Sequence, residues 1–406
     1  MSDLAGALHD LYARIPLGMR LGLEPMRDAC IRTDHPEKAF PAVHVAGTNG
    51  KGSVCAMVES IARAQGLRTG LYTSPHLCRF AERIRLDGEP IDDGALASLL
   101  RQALGAGSDL SFFETATLAA FLAFRAASVD VAIVEVGIGG RLDATNLIPT
   151  PRAAAITRIA LDHTDRLGLT LVDIAREKAG IAKPGLDLVL GPMSPDVRAA
   201  IDEVARANGA TTSDARAVQV PGRIGLAGEH QKDNARIATL LGARIGATPA
   251  AIEEGLAGVR WPGRLEQVDP TWLLDAAHNP DGAEALARYL RATTAAPRPP
   301  GANVLVFGAL GDKDWRSMLA ILAPLASKRI YVPLPGAART AIDPREMSDL
   351  YAGEVASSVD EAISLANAHA SGIRPEGLVV ATGSMVLVGE VRAKLLGLPR
   401  DPPVAL

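Results

Sequence analysis

A glycine-rich segment with a central lysine, Val43-His-Val-Ala-Gly-Thr-Asn-Gly-Lys-Gly-Ser53, contains the residue types that bind phosphate. The apolar start predicts a strand, and helical spacing resumes after the glycines. Backbone N–H groups in such a turn point at one place, where the helix dipole also favours an anion. Lys51 would add a mobile positive charge for the outer phosphates of a nucleotide. The usual pattern, G-x-x-x-x-G-K-[ST], is imperfect here, since Val45 replaces its first glycine and Gly52 follows the lysine. An ordinary glycine-rich turn is therefore the alternative.

Two further groups could bind a metal ion at the same sheet edge. Glu135 stands near the end of an apolar strand, and magnesium needs one or two such oxygen ligands beside nucleotide phosphates. The alternative is a helix-capping or salt-bridging glutamate, but the apolar setting favours the metal. His163 follows the next predicted strand along the chain, which leaves metal ligation and an ordinary histidine equally open.

A second glycine-rich turn, Gly137-Ile-Gly-Gly-Arg-Leu-Asp-Ala-Thr-Asn146, follows Glu135 directly. Its glycines allow close approach of the backbone, and Arg141 could bind a carboxylate with two hydrogen bonds. A structural Arg–Asp pair within the turn is the alternative. Further along, Lys178 and Lys183 end a predicted helix, where lysines are usually solvated charges favoured by the dipole.

Polar residues also end strands in the last third of the chain. Asp275-Ala-Ala-His-Asn-Pro280 and Gly308-Ala-Leu-Gly-Asp-Lys-Asp314 are both strand-to-helix turns. Each could be purely structural, since Asn279 can cap the following helix. Together with Arg264 they predict a polar edge on a second domain.

Strand-like runs alternate with helix-like segments almost throughout, which predicts a mostly parallel sheet with helices on both faces. In such sheets ligands bind beyond the carboxyl ends of the strands. The first series of strands is expected at 43–46, 69–73, 129–136, 153–157 and 186–190, and its helices at 54–64, 95–104, 114–127, 194–207, 231–245 and 249–258. Trp261-Pro-Gly-Arg264 breaks the pattern, so we expect one α/β domain over 1–262 and a smaller one over 263–406.

Composition narrows the class of protein. The chain has 406 residues, 48 % hydrophobic residues and a net charge of −4, with no basic stripe for nucleic acid. Its three cysteines are widely spaced, which suits a reducing compartment and shows no metal-binding spacing. Neither a signal peptide nor an apolar run long enough for a membrane is present. We therefore expect a cytoplasmic enzyme, monomeric, without nucleic-acid or membrane partners.

The motifs together resemble the folylpolyglutamate synthase and dihydrofolate synthase family, within the Mur-ligase-like ATP-dependent amide ligases. The most specific pieces are Gly47-Thr-Asn-Gly-Lys-Gly-Ser53, Thr73-Ser-Pro-His76, Phe112-Phe-Glu114, Glu135-Val-Gly-Ile-Gly-Gly-Arg-Leu-Asp-Ala-Thr-Asn146 and Glu177-Lys-Ala-Gly-Ile181. The glycine after Lys51 is part of the family pattern. One departure is Ala276, where the family usually has glycine.

The resemblance implies a phosphate-loop ATPase-type domain followed by a Rossmann-like domain that ligates glutamate. It implies ATP, magnesium at two sites, L-glutamate and dihydropteroate or reduced folates as ligands. By the resemblance, the ATP-binding residues are Asn49, Gly50, Lys51, Gly52, Ser53, Asn234, Arg264 and Asp275. Magnesium would be bound by Ser74, Glu135 and His163. The pteroate substrate would lie near Gly22, Leu23, Glu24, Phe112, Phe113, Glu114, Arg141, Leu142 and Asp143. Lys178 resembles the carbamylated lysine of the family, and His278 and Asp312 would flank the incoming glutamate or the transferring phosphate.

The expected reaction is glutamate addition to a pteroate or folate carboxylate through an acyl phosphate, by a bifunctional enzyme. A monofunctional folylpolyglutamate synthase is the nearest alternative. A cell-wall Mur ligase is less favoured, because its UDP-binding domain would place the phosphate loop later in the chain. A nucleotide-binding switch without ligase activity is the remaining alternative.

Overall fold

The structure is a computed structural model, and it describes residues 4–15, 22–293, 303–334, 341–373 and 377–401. The chain forms two compact units. The first comprises Met1–Ser74, Ala81–Gly225 and Gln231–Arg260, and the second comprises Pro75–Phe80, Leu226–His230 and Trp261–Leu406. The main segment of the second unit thus begins beside the expected limit at Pro262. The two short segments that join it from earlier in the chain were not anticipated.

The first unit is built on an eight-stranded sheet. Its strands are β1 Ala42–Ala46, β2 Thr69–Tyr72, β3 Ile84–Leu86, β4 Glu89–Pro90, β5 Val131–Glu135, β6 Ala153–Ile156, β7 Asp187–Leu190 and β8 Thr211–Asp214. The order across the sheet is β4-β3-β2-β5-β1-β6-β7-β8. The six strands β2-β5-β1-β6-β7-β8 pair in parallel. Strands β3 and β4 are antiparallel additions beside β2, at one edge of the sheet. The central strands β1 and β5 are buried along their whole length.

Ten helices accompany this sheet in the described residues. They are α1 Leu4–Tyr12, α2 Glu24–Arg32, α3 Lys51–Ala64, α4 Asp93–Ala106, α5 Phe112–Ala127, α6 Thr164–Leu167, α7 Leu171–Ala179, α8 Pro195–Ala207, α9 His230–Arg244 and α10 Pro249–Gly258. Helix α5 is buried at most of its positions, because its apolar residues cover nearly the whole circumference. One part of the core lies under α7 and α8, where Ala175, Ile181 and Ile201 pack with Leu188 and Ile156.

The second unit has a six-stranded sheet in the order β13-β12-β11-β14-β10-β9. Its strands are β9 Glu266–Gln267, β10 Trp272–Leu274, β11 Asn303–Phe307, β12 Ala326–Tyr331, β13 Glu354–Val355 and β14 Leu378–Thr382. Its helices are α11 Pro280–Thr293, α12 Trp315–Leu322, α13 Pro344–Leu350, α14 Val359–Ser371 and α15 Met385–Leu396. All pairs are parallel except β9 with β10. Apolar clusters fill both faces of the sheet, as expected for parallel strands.

The predicted fold class, α/β with mostly parallel sheets, is confirmed. The strands and helices expected in the first series begin and end within a few residues of their expected positions. The structure adds short strands that the sequence did not indicate, namely β3, β4, β8, β9 and β13. In the part of the chain that the structure describes, no helix has the length and apolar character needed to cross a membrane.

Candidate active site

The phosphate loop joins β1 to α3 and is shaped by two glycines with positive φ, Gly47 at 145° and Gly50 at 92°. A Cβ atom at Gly47 would lie 1.8 Å from Thr157 Oγ1, so no side chain fits there. Thr157 Oγ1 in turn donates to Asn49 O at 2.8 Å. Thr48 N donates to Arg158 O at 2.7 Å. The loop is therefore held closely against the segment that follows β6.

Helix α3 begins at this loop in the way that an anion site requires. Gly50 is its N-cap residue and offers no side-chain cap, and the first turn contains no acidic residue. The first N–H groups of a helix have no partner inside the helix, and the dipole adds positive potential there. The sequence expectation of a phosphate site thus has a matching geometry at Gly50, Lys51, Gly52 and Ser53.

Lys51 and Glu135 lie together at the carboxyl ends of neighbouring strands. The Lys51 Nζ atom is 3.8 Å from Glu135 Oε1 and donates to Thr48 O at 3.2 Å. Glu135 is 5 % exposed, and its Oε2 accepts from Ser74 N at 3.1 Å. The structure therefore brings together one expected phosphate ligand and two expected magnesium ligands, which come from segments far apart in the sequence.

Asn234 lies against the phosphate loop from α9. A Cβ atom at Gly50 would lie 2.5 Å from Asn234 Oδ1. Asn234 Nδ2 donates to Gln231 Oε1 at 2.9 Å, and Gln231 Nε2 donates to Ser53 Oγ at 3.4 Å. These contacts place Asn234 beside the loop and add Gln231, which sequence reasoning missed. The expected role of Asn234, contact with the adenine of the nucleotide, stays a prediction.

His163 follows β6 and has a left-handed backbone, with φ 51°. Its Nε2 lies 3.8 Å from Asp162 Oδ1, and its side chain is 28 % exposed. No three His, Cys, Asp or Glu side chains among the described residues form a metal-binding group. Since Ser74 is outside those types, the magnesium set of Ser74, Glu135 and His163 stays a prediction.

Lys178 is a buried lysine in the last turn of α7, only 4 % exposed. Burial lowers its pKa to about 7, and the positive charge of Lys51 acts in the same direction, whereas Asp162 and Asp143 oppose it. The interpretation from residue types alone, a solvated charge, is thus wrong for Lys178. Lys183, which donates to Asn146 O at 3.0 Å, has a pKa lowered by partial burial and is also not a fully solvated lysine.

The second glycine-rich turn interlocks with the end of α7. A Cβ atom at Gly140 would lie 2.7 Å from Lys178 O, and one at Gly180 would lie 2.6 Å from the Arg141 Cα. Asn146 Nδ2 donates to both Arg141 O and Gly180 O, at 3.0 and 3.1 Å. The backbone of Lys178 is therefore fixed by direct contact with this turn.

Arg141 pairs with Glu177 rather than with the aspartate of its own turn. Its Nη2 donates to Glu177 Oε1 at 2.8 Å, and the arginine side chain is 58 % exposed. The alternative interpretation, a structural Arg–Asp pair within the turn, is therefore wrong, because the acidic partner of Arg141 is Glu177. Leu142 beside it is partly exposed, so both side chains remain accessible at the turn.

Asp143, by contrast, is 4 % exposed and binds the turn itself. Its Oδ2 accepts from Ile138 N at 2.9 Å, and its Oδ1 accepts from Thr145 N at 3.0 Å and from Thr145 Oγ1 at 2.5 Å. Burial raises the pKa of Asp143, and these hydrogen bonds oppose the shift. His44, buried in β1, completes the group, with Nε2 2.8 Å from Thr145 Oγ1.

Two aromatic residues begin α5. The Phe113 ring covers Gly137, where a Cβ atom would lie 2.3 Å from the ring, and it is 6.1 Å from the Tyr72 ring centroid. Phe112 is 3 % exposed, and the Arg83 guanidinium lies 5.2 Å from its ring centroid. Phe113 therefore borders the glycine-rich turn, and its expected substrate role stays a prediction.

Glu114 caps the start of α5. Its Oε2 accepts from Ser111 N at 2.8 Å and from Ser111 Oγ at 2.6 Å, which forms a capping box. At the start of α2, Gly22 has φ 137°, Leu23 is the N-cap residue, and Glu24 Oε2 would lie 2.6 Å from a Cβ atom at Gly22. The Glu24 side chain thus lies beside Gly22, and the Glu114 side chain caps the start of α5. The substrate roles of both residues stay predictions.

In the second unit, Asp275 follows β10, and its carboxylate accepts hydrogen bonds from two backbone N–H groups. Its Oδ2 accepts from Leu265 N at 3.0 Å and its Oδ1 from Ala277 N at 3.1 Å. Burial raises the pKa of Asp275, and the charge of Arg264 opposes that shift. Ala276, the departure from the family pattern, is not among the non-glycine residues with positive φ, so its side chain introduces no backbone strain.

The other two expected residues of this unit are placed less specifically. His278 Nδ1 lies 3.0 Å from Ala276 O, and its side chain is partly exposed. Asp312 lies in an exposed turn between β11 and α12. Their expected roles toward glutamate and phosphate stay predictions.

Comparisons with known proteins assign the class. Residues 45–187 match the Mur ligase middle domain, and residues 263–385 match the Mur ligase glutamate ligase domain. The first match includes the phosphate loop, Glu135 and Lys178. The chain thus carries both domains of the Mur-ligase-like class, and its folylpolyglutamate synthase relatives are ATP-dependent ligases.

Individual relatives narrow the assignment. A folylpolyglutamate synthase from Lacticaseibacillus casei is 37 % identical over 89 % of this chain and 92 % of its own length. A structure described as E.coli FolC in complex with DHPP and ADP has a TM-score of 0.87 and 33 % identity, covering 97 % of this chain and 98 % of that one. The bifunctional enzyme of Yersinia pestis with AMPPNP and Mn ion gives a TM-score of 0.86 and 33 % identity, covering 97 % and 98 %. The chain belongs to the folylpolyglutamate synthase and dihydrofolate synthase family.

Proposed function

We propose that this chain joins L-glutamate to the carboxylate of dihydropteroate and of reduced folates, with ATP converted to ADP. The observation that carries the proposal is the meeting of Lys51 Nζ and Glu135 Oε1 at 3.8 Å, directly beside the uncapped start of α3. This arrangement suits a nucleotide triphosphate with a divalent cation. Family membership supplies the acceptor class, since the relatives are named for folate substrates.

The chemistry explains why the protein needs few reactive groups of its own. A carboxylate is a poor acyl donor, and phosphorylation by ATP converts its oxygen into part of a phosphate leaving group. The glutamate amine then attacks the acyl carbon and phosphate departs. In phosphoryl transfer the protein mainly aligns the reactants and neutralises developing charge.

The residues around the phosphate loop fit ATP and magnesium. Gly47 and Gly50 let the loop pack directly against Thr157 and Asn234, where any side chain would collide, and α3 presents N–H groups and no acid to the phosphates. A bound magnesium ion would stabilise charge on the phosphates, with Glu135, Ser74 and His163 as its protein ligands. Lys51 would neutralise the outer phosphates from the other side.

The pteroate group would lie at the second glycine-rich turn. Phe113 covers Gly137 and presents an aromatic surface. The exposed Arg141 side chain, which donates to Glu177, would exchange that partner for a substrate carboxylate. Phe112, Glu114 and Asp143 would shape this region rather than contact substrate, because each is buried in contacts of its own. Arg264 and Asp275 are proposed to act on the nucleotide, and His278 and Asp312 on glutamate or phosphate.

Lys178 is proposed to be carbamylated. Its lowered pKa, about 7, leaves a substantial fraction of neutral amine at physiological pH, and only the neutral amine attacks carbon dioxide. The nitrogen forms a bond to carbon, and the carbamic acid then loses a proton to give an anion. Lys51 repels the positive charge of an unmodified Lys178, whereas it would attract the negative charge of the carbamate.

Product analysis tests the proposal directly. The purified chain is incubated with ATP, MgCl2, L-glutamate and either dihydropteroate or tetrahydrofolate, and products are identified by mass spectrometry while ADP is measured. We expect each acceptor to gain one glutamyl residue per ADP. Products from tetrahydrofolate alone would indicate a monofunctional folylpolyglutamate synthase. An ADP release rate that does not depend on either acceptor would overturn the ligase proposal.

A further inference from the structure

A buried chain of hydrogen bonds connects the strand before the phosphate loop to the second glycine-rich turn. His44, in the middle of β1, is fully buried, and its Nε2 lies 2.8 Å from Thr145 Oγ1. Thr145 Oγ1 lies 2.5 Å from Asp143 Oδ1. His44 and Thr145 are 101 residues apart in the sequence, and neither was expected to serve the site.

The positions of the protons in this chain follow from the partners. Both oxygens of Asp143 accept backbone N–H groups, from Ile138 and from Thr145, so the carboxyl group acts as an acceptor on both sides. The Thr145 hydroxyl therefore donates its single proton to Asp143 Oδ1. Its oxygen must then accept from His44, which requires a proton on Nε2 of the imidazole. Burial supports the neutral form, since it lowers the pKa of His44 to about 3.

The far end of the chain shapes the turn that borders both proposed reactants. Asp143 Oδ2 holds the backbone at Ile138, next to Gly137, which lies under the Phe113 ring. Two residues further, Gly140 touches the backbone of Lys178. A shift of the Asp143 carboxylate would therefore move the surface expected to receive the pteroate group.

We propose that His44 and Thr145 are positioning residues for the pteroate substrate: the neutral His44 fixes the Thr145 hydroxyl, which holds Asp143 and thereby the shape of the turn. This inference rests on the proposed function, because it concerns the substrate of the same site. The two residues touch no reactant. Their effect is on the affinity of the enzyme for the pteroate.

A matched pair of substitutions at Thr145 tests the proposal. Thr145→Val keeps the branched shape and removes the hydroxyl, whereas Thr145→Ser keeps the hydroxyl and removes a methyl group. In Thr145→Val we expect KM for dihydropteroate to rise at least fivefold, with KM for ATP changed less than twofold. In Thr145→Ser we expect the dihydropteroate KM to return to within twofold of the wild-type value. Melting temperatures are recorded for each variant.

A double-mutant cycle with His44→Leu tests whether the two residues act together. Removing the Thr145 hydroxyl leaves the His44 Nε2–H buried without its acceptor, whereas in His44→Leu the hydroxyl keeps Asp143 as its acceptor. Removing both leaves no orphaned imidazole N–H. The double variant should therefore have a dihydropteroate KM no higher than that of the worse single variant. In the wild type, the 15N resonances of His44 should show a neutral ring with the proton on Nε2.

The outcomes separate this inference from the proposed function. If wild-type enzyme forms no glutamylated product, the proposed function fails, and the NMR tautomer alone then decides the hydrogen-bond chain. If wild type is active but Thr145→Val lowers only the melting temperature and leaves both KM values unchanged, the positioning role is refuted. Equal increases in the KM of ATP and of dihydropteroate, or an Nδ1-protonated His44, would also refute it.

Discussion

The ammonium group of Lys51 lies 3.8 Å from the Glu135 carboxylate, although the two residues are 84 positions apart in the chain. Adjacent parallel strands bring them together, since β1 pairs with β5 and both end at the same edge of the sheet. Without a nucleotide, the Lys51 ammonium group balances the buried negative charge of Glu135. With a nucleotide and a divalent cation bound, the same two groups would bind phosphate and metal.

Lys51→Ala should remove ligase activity while the fold persists. A hydrogen bond to a charged group contributes roughly 1.5–3 kcal/mol, so the rate should fall at least tenfold. Glutamate-dependent ADP release measures the loss, and circular dichroism with thermal melting checks the fold. Near-wild-type turnover in Lys51→Ala would exclude the phosphate role.

Glu135→Gln should raise the magnesium requirement about tenfold. The amide keeps an oxygen that can accept from Ser74 N but loses the negative charge that a hard divalent cation prefers. Activity is titrated against MgCl2 at fixed ATP. Glu203→Gln is the matched control, because Glu203 is 67 % exposed and pairs with a surface arginine, a contact of little energetic value. An unchanged magnesium curve in Glu135→Gln would contradict the metal assignment.

Lys178→Ala should be nearly inactive, and added short carboxylates such as acetate should restore part of its activity. The reason is that a small anion can occupy the space of the proposed carbamate. Lys394→Ala serves as the control, since Lys394 forms a surface ion pair with Asp360 and should not affect turnover. Intact-protein mass measured with and without 13C-labelled bicarbonate reports the modification itself. Full activity of Lys178→Ala without added carboxylate would return Lys178 to a structural role.

Gly47→Ala and Gly105→Ala are the same chemical change with opposite expected results. At Gly47 the new Cβ meets Thr157 Oγ1 and the backbone has φ 145°, so ATP binding should be lost and stability reduced. At Gly105, inside α4, nothing lies within 4 Å, and alanine should stabilise the protein by about 0.5–1 kcal/mol. ATP titration and chemical unfolding measure both variants. Wild-type ATP affinity in Gly47→Ala would show that the loop does not need its present shape.

The predictable part of the site was the part encoded locally. Strand, glycines and helix start follow one another around Lys51, and Glu135 ends an apolar strand, so their common edge followed from parallel-sheet geometry. The capping box of Ser111 and Glu114 was also readable, because its members are three residues apart. That local signal was missed in favour of a substrate role for Glu114.

The unpredictable part depends on distant packing. The burial of Lys178 arises because Gly140 and Asn146, from another segment, cover the end of α7. Nothing in the lysine or its neighbours indicates this, and a helix C-terminus predicts the opposite. The partner of Arg141 is likewise Glu177, 36 residues away, rather than the nearby aspartate. In the fold, the missed strands are short and lie at or near sheet edges, where the apolar pattern is weakest.

His44 predicts how stability depends on pH. Burial lowers its pKa from the ordinary 6.5 to about 3, so below pH 6.5 the unfolded chain binds a proton that the folded chain does not. The free energy of unfolding should therefore fall as pH falls from 6.5 toward 3 and should not depend on His44 above that range. Between pH 6.5 and 5.5 the expected loss from this one group is about 1 kcal/mol.

Urea unfolding at pH 7.5, 6.5, 6.0 and 5.5 measures the effect. His44→Gln removes the titrating group and should flatten the dependence by that amount, although its stability at pH 7.5 is lower because a buried hydrogen-bond partner has changed. His9→Gln is the matched control, since His9 is exposed on α1 and its loss should leave the slope of the wild type unchanged. If His44→Gln and wild type lose stability equally over this interval, His44 is not held neutral in the folded chain, and the hydrogen bond that it donates to Thr145 must be reassigned.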